Sequence, residues 1–258
     1  HSSINSPTVS GLTAGNYTVR VSDVNNCEVI LNITITQPIA LSVSGSTSPV
    51  SCFGGRDGQV SVAASGGTPP YSYNWSVGGA TTSVINNLNA ATYNLILTDA
   101  HSCPSNTSYT VASPTALNGS LVSSTMVSCF GGNDGTAKVS VVGGTSPYYY
   151  LWTPYGGTGD SANDLDTGTY IVMIHDANNC AETVNLNIAQ PPPLSMSYST
   201  TPAGCSLSNG SATVNVTGGT RPLTYSWSNC ASSTATLNNI SSGSYQVIIT
   251  DAKNCSLT

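Results

Sequence analysis

Eight cysteines are the residues of this chain with the clearest potential chemistry, because thiols form disulfides, bind metals or act as nucleophiles. Four of them end closely similar segments and are separated by 76, 77 and 75 residues: Cys27, Cys103, Cys180 and Cys255. Three others occupy earlier turns of the same repeating unit, and one stands alone: Cys52, Cys129, Cys205 and Cys230. There is no Cys-x-x-Cys pair. The regular spacing therefore predicts disulfides in an oxidising, extracellular compartment.

Two pairing schemes fit the spacing. Pairing within each unit joins Cys52 to Cys103, Cys129 to Cys180 and Cys205 to Cys255, and leaves Cys27 and Cys230 over. Pairing between successive units joins Cys27 to Cys52, Cys103 to Cys129 and Cys180 to Cys205. In this scheme Cys230 can pair with Cys255 as a fourth bond. The first scheme suits a self-contained unit and is preferred, although in a β-sandwich the two turns tend to lie farther apart than the ~6 Å Cα separation of a disulfide.

The few acidic residues recur at two turns. Carboxylates beside backbone carbonyls and Asn amides are the oxygen ligands that Ca²⁺ requires, so these turns are candidate calcium sites. The alternative is that Asp and Asn only form Asx turns. The candidate ligands are Asp23, Asp57, Asp99, Asp134, Asp176 and Asp251, with Asp160, Asp164 and Asp166 added in one unit.

No catalytic constellation accompanies these residues. The three histidines, His1, His101 and His175, do not recur at equivalent positions, and there is no Gly-x-Ser-x-Gly, HExxH or phosphate-binding glycine loop. The sequence therefore predicts that the protein is not an enzyme.

Charge is scarce in this chain. Asp, Glu, Lys and Arg make up 6% of its 258 residues, the net charge is −6, and the five basic residues are scattered. Such a surface cannot neutralise a phosphate backbone, which argues against nucleic-acid binding. No apolar run reaches the ~20 residues of a membrane-spanning helix, so no membrane insertion is expected for this segment. The start at His1, without a leader pattern, indicates a piece of a larger precursor.

Internal repetition is the strongest signal in the sequence. SCFGGRDGQVSV (51–62) returns as SCFGGNDGTAKVSV (128–141), and SGGTPPYSYNW (65–75) returns as VGGTSPYYYLW (142–152). Prolines close each unit. The period of about 76 residues predicts four modules: the C-terminal part of a truncated module (1–38), two complete ones (39–114 and 115–193), and one without its final strand (194–258).

Alternating apolar residues predict strands with one buried face. In the module 39–114 we expect strands at 41–45, 59–64, 71–76 and 84–88, followed by a hairpin of 92–98 with 107–112. The predicted fold class is all-β, with tandem immunoglobulin-like β-sandwich modules of about 76 residues in an extended array. Recurring aromatics are assigned to the core: Tyr17, Tyr93, Tyr170 and Tyr245 as tyrosine corners, and Trp75, Trp152 and Trp227 between the sheets.

These blocks, Cys-Phe-Gly-Gly-x-Asp-Gly, Gly-Gly-Thr-x-Pro-Tyr-x-Tyr-x-Trp and Asp-Ala-x-x-Cys, resemble the SprB repeat of Bacteroidota gliding adhesins. The resemblance implies a secreted or bacterial cell-surface location, export by the type IX secretion system, and a role in adhesion, gliding or fibre formation. The last module departs from the pattern, with Cys205-Ser-Leu-Ser and an extra Cys230.

Two functions compete at this point. The preferred one is a structural repeat of a long adhesin or fibre, a stalk or self-assembling filament whose partners are neighbouring copies of itself. The alternative is an adhesive module that binds surface glycans or proteins, for which Tyr148, Tyr149, Tyr150 and Tyr155 form the candidate aromatic cluster.

Overall fold

The computed structural model describes residues 6–258, which form twenty β-strands and no helix, and hence no helix that could cross a bilayer. The first repeat contributes β1 (Gly15–Ser22) and β2 (Glu28–Ile35). The second contains β3 (Ser42–Ser48), β4 (Gly58–Ser65), β5 (Ser72–Trp75), β6 (Val84–Leu88), β7 (Ala91–Thr98) and β8 (Pro104–Val111). The third contains β9 (Asn118–Thr125), β10 (Gly135–Val142), β11 (Tyr149–Thr153), β12 (Ser161–Leu165), β13 (Gly168–His175) and β14 (Ala181–Ile188). The fourth contains β15 (Ser195–Thr201), β16 (Gly210–Thr217), β17 (Thr224–Trp227), β18 (Thr236–Ile240), β19 (Val247–Thr250) and β20 (Ser256–Leu257).

The described chain divides into two compact units. One runs up to Val50 and continues as Gly54–Ser113, and the other consists of Ser51–Phe53 with Pro114–Thr258. The first turn of the second repeat therefore contributes three residues to the second unit.

Each complete repeat is an immunoglobulin-like sandwich of two three-stranded antiparallel sheets. In the third repeat these have the strand orders β12-β10-β9 and β11-β13-β14, and β3 to β8 follow the same plan. The register of β13 with β14 pairs Tyr170 with Leu186 and Val172 with Val184, and all four side chains are buried. Alternation of apolar and polar residues thus selects the face that enters the core, as the sequence predicts. The last strand of the second repeat, β8, begins three residues earlier than the sequence pattern indicates.

The core of each repeat is built from both sheets. In the third repeat Val139 and Leu165 come from one sheet, and Trp152, Val172 and Ile174 come from the other. Each of these side chains is 3% exposed or less. Dry contact between two alternating faces is the main stabilising term for a sandwich of this size.

The terminal repeats are less complete within the described residues. Val19 and Leu31 on the β1–β2 hairpin are 41% and 58% exposed, whereas their repeat equivalents Val172 and Val184 are buried. No sheet of the described chain covers the β1–β2 pair. In the fourth repeat the last strand, β20, has two residues where β14 has eight, and the buried cluster is correspondingly smaller.

Candidate functional site

In the second, third and fourth repeats, the hairpin that precedes the last strand is organised by one buried aspartate. In the third repeat Asp176 is 1% exposed, and its Oδ1 accepts the backbone N–H groups of Asn178 (2.8 Å) and Cys180 (2.9 Å). Its Oδ2 accepts the N–H of Thr145 (2.9 Å) from the Gly-Gly-Thr loop. Gly143 and Gly144 bring that loop close through positive φ angles of 74° and 61°, and a Cβ on Gly143 would collide with Ala116 O. The aspartate thereby fixes the position of the cysteine that follows it.

The same arrangement recurs at the other hairpins. The carboxylates of Asp99 and Asp251 each accept the N–H groups of the residues two and four positions later in the chain. Each also accepts the threonine N–H of the Gly-Gly-Thr loop in its own repeat. Asp23 makes the two local contacts, with Asn25 and Cys27. All four hairpin cysteines are therefore held by one local mechanism.

These contacts lower the pKa of the buried carboxyls. Burial alone would raise the pKa of Asp176, but the N–H groups of Thr145, Cys180 and Asn178 outweigh it and hold the pKa below 3.8. The pKa of Asp251 is lowered by the same balance of burial against backbone donors. For Asp99 the N–H groups of Cys103 and Thr68 are the main cause of the lowered pKa. The ionised form is the one that the fold requires.

We expect Asp176→Asn to lower the melting temperature near neutral pH, with a difference from the wild type that shrinks in acid. A carboxyl whose folded pKa is depressed stabilises the fold above its unfolded pKa, near 3.8, and loses that contribution as the pH falls through the folded value. Thermal unfolding of both proteins between pH 7 and pH 2 measures the effect.

Asp164→Asn is the matched control, because Asp164 is exposed and Asn87 and Asn239 already occupy its position in other repeats at the same positive φ. If the melting temperature of Asp176→Asn lies below that of the wild type by the same amount at every pH, the charge of the carboxylate contributes nothing to stability.

The second recurring feature is the turn that carries the first cysteine of a repeat. Asp134 Oδ1 accepts the N–H of Ser128 at 2.7 Å, and hydrogen bonding by the Ser128 side chain, followed by its backbone N–H, lowers the pKa of Asp134. Gly132 donates its N–H to Cys129 O, and Gly131 donates to Gln190 Oε1. The turn around Cys129 is thus held by hydrogen bonds within the turn and by one to Gln190 at the end of its own repeat.

The two cysteine-bearing turns of one repeat lie beside opposite ends of its chain. In the third repeat Val127, two residues before Cys129, donates to Ala189 O, where the repeat ends. The Asp176 hairpin instead binds Thr145, whose neighbour Gly144 donates to Thr115 O, where the repeat begins. In the fourth repeat the same contact is made by Gly219 with Pro192 O. Ala189 and Pro192 are three residues apart, so the first turn of one repeat meets the hairpin of the next.

Two disulfides join the first turn of one repeat to the hairpin of the next. Cys129 is bonded to Cys255, and Cys52 is bonded to Cys180, each with a Cα separation of 5.6 Å. This staggered pairing, from the first turn of a repeat to the hairpin of the following repeat, differs from both schemes that the spacing suggests. Pairing within a repeat is excluded because its two turns lie at opposite ends. Pairing of a hairpin with the next first turn is excluded because the hairpin faces the preceding repeat.

Polar contacts accompany both disulfides. Cys255 Sγ lies 3.4 Å from Ser128 O, and Cys180 Sγ lies 3.5 Å from Ser51 O. Asn178 Nδ2 also donates to Ser51 O at 3.0 Å. A groove of about 410 Å³ runs beside the Cys129–Cys255 bond and is lined by residues that include Phe130 and Pro191–Pro193. The carbonyl that precedes the first-turn cysteine is therefore a recurring part of the site.

The remaining cysteines of the described chain form no disulfide. Cys27, Cys103 and Cys205 are exposed, and Cys230 is half-buried with its Sγ 3.4 Å from Ser228 O. Cys27 and Cys103 are hairpin cysteines, and Cys205 is a first-turn cysteine. Each occupies one of the two positions that the staggered disulfides join.

The candidate calcium ligands do not converge. Among residues 6–258 no three His, Cys, Asp or Glu side chains are close enough together to hold a metal ion. The hairpin carboxylates accept backbone N–H groups instead. The Oδ2 atom of Asp160 lies 3.6 Å from Lys138 Nζ. Asp166 contacts the hydroxyls of two tyrosines through its backbone N–H and C=O groups. Asp57 has interactions of its own, and Asp164 is exposed. Calcium binding by Asp23, Asp57, Asp99, Asp134, Asp176, Asp251, Asp160, Asp164 or Asp166 stays a prediction of the sequence.

The recurring aromatics serve the sandwich. The hydroxyls of four tyrosines donate to the carbonyl four residues earlier: Tyr17, Tyr93, Tyr170 and Tyr245. Three tryptophans are at most 7% exposed and donate Nε1–H to the carbonyl seven residues later: Trp75, Trp152 and Trp227. These indoles fill the core and satisfy their one donor at its edge.

The tyrosine cluster of the third repeat is divided among different surroundings. Tyr148 donates its hydroxyl to Gly143 O, and Tyr150 is half-buried against the core. Tyr155 packs edge-on against Tyr170, and their hydroxyl oxygens lie 2.9 Å apart. Tyr149 is 60% exposed. Tyr149 and Tyr155 are therefore the exposed rings of the cluster.

Comparison with known proteins agrees with the repeat period. The family model of the SprB repeat matches residues 44–80, 121–157 and 197–232. No curated protein sequence matches the chain. Among solved structures, one described as the structural basis for Dscam isoform specificity is 12% identical over 97% of this chain and 80% of its own, with a TM-score of 0.24. Extracellular domains 3–5 of Drosophila OTK are 11% identical over 81% and 92%, with a TM-score of 0.24. Domains 1–6 of the surface layer protein SbsC are 12% identical over 95% and 44%, with a TM-score of 0.28.

Proposed function

This chain belongs to the SprB-repeat family, and we propose that it is a structural segment of a long extracellular adhesin or fibre, a stalk or filament and not an enzyme. The single observation that carries the proposal is the staggered pairing of Cys52 with Cys180 and of Cys129 with Cys255. Each bond fastens one repeat to the next, which a repeat acting alone would not need.

The two bonds overlap along the chain. The residues from Cys129 to Cys180 lie inside both covalent loops, which span 128 and 126 residues. A pulling force applied outside these loops is therefore transmitted through sulfur atoms, even when the sandwiches between them unfold. In a repeat array each unit contacts only its neighbours, so covalent bonds between neighbours keep the array connected when a unit unfolds.

The composition supports an extracellular setting. Structural disulfides persist in oxidising compartments, and a chain with 6% charged residues and a net charge of −6 offers no attraction for nucleic acid. Location on a bacterial cell surface and export by the type IX secretion system follow from the family resemblance as part of the proposal.

Self-association is the second element of the proposed function. β15 is an edge strand whose residues are all exposed and mostly hydroxylated, and it contains no charged side chain and no bulge in its pairing with β16. Edges that lack Lys, Pro or bulges are poorly protected against pairing with another strand. Neighbouring copies of the chain are the partners that this surface fits.

Single-molecule stretching between the two ends of the oxidised chain tests the load-bearing role. Cys52 and Cys255 are 203 residues apart, so this part of a reduced, unfolded chain reaches about 700 Å at ~3.4 Å per residue. With both disulfides intact, the shortest covalent path from Cys52 to Cys255 crosses one bond to Cys180, follows the 51 residues back to Cys129, and crosses the other bond. This path reaches about 175 Å when fully extended. We expect extension of this part to stop near the smaller value until reductant is added.

Cys129→Ser is the matched variant. The remaining Cys52–Cys180 bond leaves 75 residues up to Cys255, so extension should stop at about 255 Å. Extension of the oxidised wild type to the full reduced length would refute a load-bearing role. Binding of the oxidised chain to immobilised glycans at micromolar concentration would favour the adhesive alternative.

A further inference from the structure

We propose that the outer face of the β11-β13-β14 sheet in the third repeat is a docking surface on which the same face of a second copy of this chain packs. The inference rests on the proposed structural function, because it names a second surface through which neighbouring copies associate. Four large side chains carry it and are called the β11–β13 patch: Tyr149, Leu151, Ile171 and Met173.

The patch is a continuous apolar surface on two paired strands. Leu151 lies directly opposite Met173 in the register of β11 with β13. Tyr149 and Ile171 are each two residues away on the same strands, and side chains at that spacing point to the same side of a sheet. The exposed fractions are 60% for Tyr149, 53% for Leu151, 42% for Ile171 and 38% for Met173. At roughly 200 Å² per large side chain, these fractions leave about 400 Å² of apolar surface, the size of patches that are often functional.

The other sandwiches lack this patch. In the second repeat the four positions hold Ser72, Asn74, Asn94 and Ile96. In the fourth repeat they hold Thr224, Ser226, Gln246 and Ile248. Each of these faces therefore carries one large apolar side chain where the third repeat carries four. Because the same sheet forms in all three repeats, folding does not require the additional apolar groups.

The face that carries the patch is uncharged. No Asp, Glu, Lys or Arg occupies an outward position of β11, β13 or β14, and Glu182 on β14 pairs with the inward-facing Ile174. The opposite sheet of the same repeat carries Lys138 and Asp164 at exposed positions. Each copy of the chain has a net charge of −6, so two copies repel each other except where they meet through uncharged surfaces. A second copy is the partner that this face fits.

The size of the patch also suits a dimer. Under two-fold symmetry the same face of each copy meets its counterpart, so apolar side chains meet apolar side chains. Burial of the patch on both copies removes about 800 Å² of apolar surface, which corresponds to about 1,400 Å² in total for an interface that is roughly 57% non-polar. Stable protein–protein interfaces bury roughly 1,200–2,000 Å². Tyr and Met are among the residues enriched at their centres.

Peroxide oxidation of methionine tests the proposal with probes that the chain already contains. Its three methionines are Met173 in the patch, Met196 on the edge strand β15 and Met126 between β9 and β10, and they are 38%, 36% and 51% exposed. Peroxide transfers one oxygen atom to the thioether sulfur and leaves as water. The full chain is used with its disulfides intact and its free thiols blocked. From low micromolar to millimolar chain concentration, we expect oxidation of Met173 to slow by at least about threefold, as when two thirds of the chain is dimeric, while Met196 and Met126 keep their rates.

Substitutions taken from other repeats remove the patch while keeping residues that the same sheet position already accommodates. Leu151→Asn introduces the residue type of Asn74, and Met173→Arg introduces that of Arg20 in the first repeat. Each should raise the dissociation constant of the dimer, measured by sedimentation equilibrium, by about tenfold or more. Ile96→Arg is the matched control, because Ile96 occupies the position of Met173 in the second repeat but lies opposite the polar Asn74. It should leave the dissociation constant unchanged.

A chain that stays monomeric at millimolar concentration would overturn the proposal, whether or not the face binds an immobilised neutral glycan. Protection of Met196 in place of Met173 would also overturn it, because the contact would then lie at the edge strand β15. Equal effects of Ile96→Arg and Met173→Arg would do the same. None of these results changes the covalent path through the Cys52–Cys180 and Cys129–Cys255 bonds, so failure here is distinguishable from failure of the proposed stalk function in the stretching experiment.

Discussion

Cys129→Ser is expected to lower the free energy of unfolding of the second compact unit by about 4 to 5 kcal/mol, the chain-entropy value for a loop of ~125 residues. The reason is that Cys129 and Cys255 close a loop of 126 residues that includes most of the third and fourth repeats. Urea unfolding under non-reducing conditions, followed by tryptophan fluorescence, measures the change.

Cys103→Ser is the control for this substitution, because Cys103 is exposed and unpaired in the described chain. It should leave the free energy of unfolding unchanged. The double variant Cys129→Ser with Cys255→Ser should lose no more than Cys129→Ser alone, since a single bond is lost in both. Additive losses would mean that the two cysteines act independently, contrary to the structure.

Trp152→Ala is expected to destabilise the third repeat by about 3 to 5 kcal/mol, the usual cost of truncating a buried aromatic residue. Trp152 is 3% exposed, packs among residues of both sheets, and donates Nε1–H to Gly159 O. Truncation leaves a cavity and an unsatisfied carbonyl at the edge of the core. Urea unfolding followed by far-UV circular dichroism detects the loss without depending on the removed indole.

Tyr149→Ala on the same strand is the matched control, because its side chain is 60% exposed and points away from the core. We expect a change of less than about 0.5 kcal/mol for such a surface position. Trp152→Phe should recover part of the loss, since it refills most of the cavity but cannot donate to Gly159 O. Similar losses for Trp152→Ala and Tyr149→Ala would contradict the assignment of Trp152 to the core.

The strands could be predicted from the sequence because burial in a sandwich leaves a period of two. Tyr93, Leu95 and Leu97 alternate with Asn94 and Ile96, and they are the buried residues of β7. Repetition strengthened the prediction, since each block appears in several repeats. The β8 start was missed because Pro104–Asn106 contains no apolar residue to mark it.

The disulfide pairing could not be read from spacing. A hairpin cysteine is about 50 residues from the first turn of its own repeat and about 25 from the next, but it bonds to neither. The deciding fact is which end of the sandwich the hairpin occupies, and Asp176 decides it by binding Thr145 at the entrance of the repeat. The Gly-Gly-Thr block and the Asp-Ala-x-x-Cys block carried this signal, because both recur together at a fixed separation.

The aspartates posed a different problem. Ca²⁺ and a cluster of backbone N–H groups both require a carboxylate at a turn, so the sequence is the same for either. In the structure Asp251 accepts the N–H groups of Thr220, Lys253 and Cys255 with its two oxygens. One of these N–H groups belongs to Thr220, 31 positions away, and the others belong to the local turn.

Disulfide mapping of the oxidised chain is the most direct measurement of the central claim that consecutive repeats are fastened by staggered bonds. Proteolysis with free thiols blocked, followed by mass spectrometry, should yield peptides that join Cys52 to Cys180 and Cys129 to Cys255. Peptides that join Cys52 to Cys103 and Cys129 to Cys180, or Cys103 to Cys129, would contradict it.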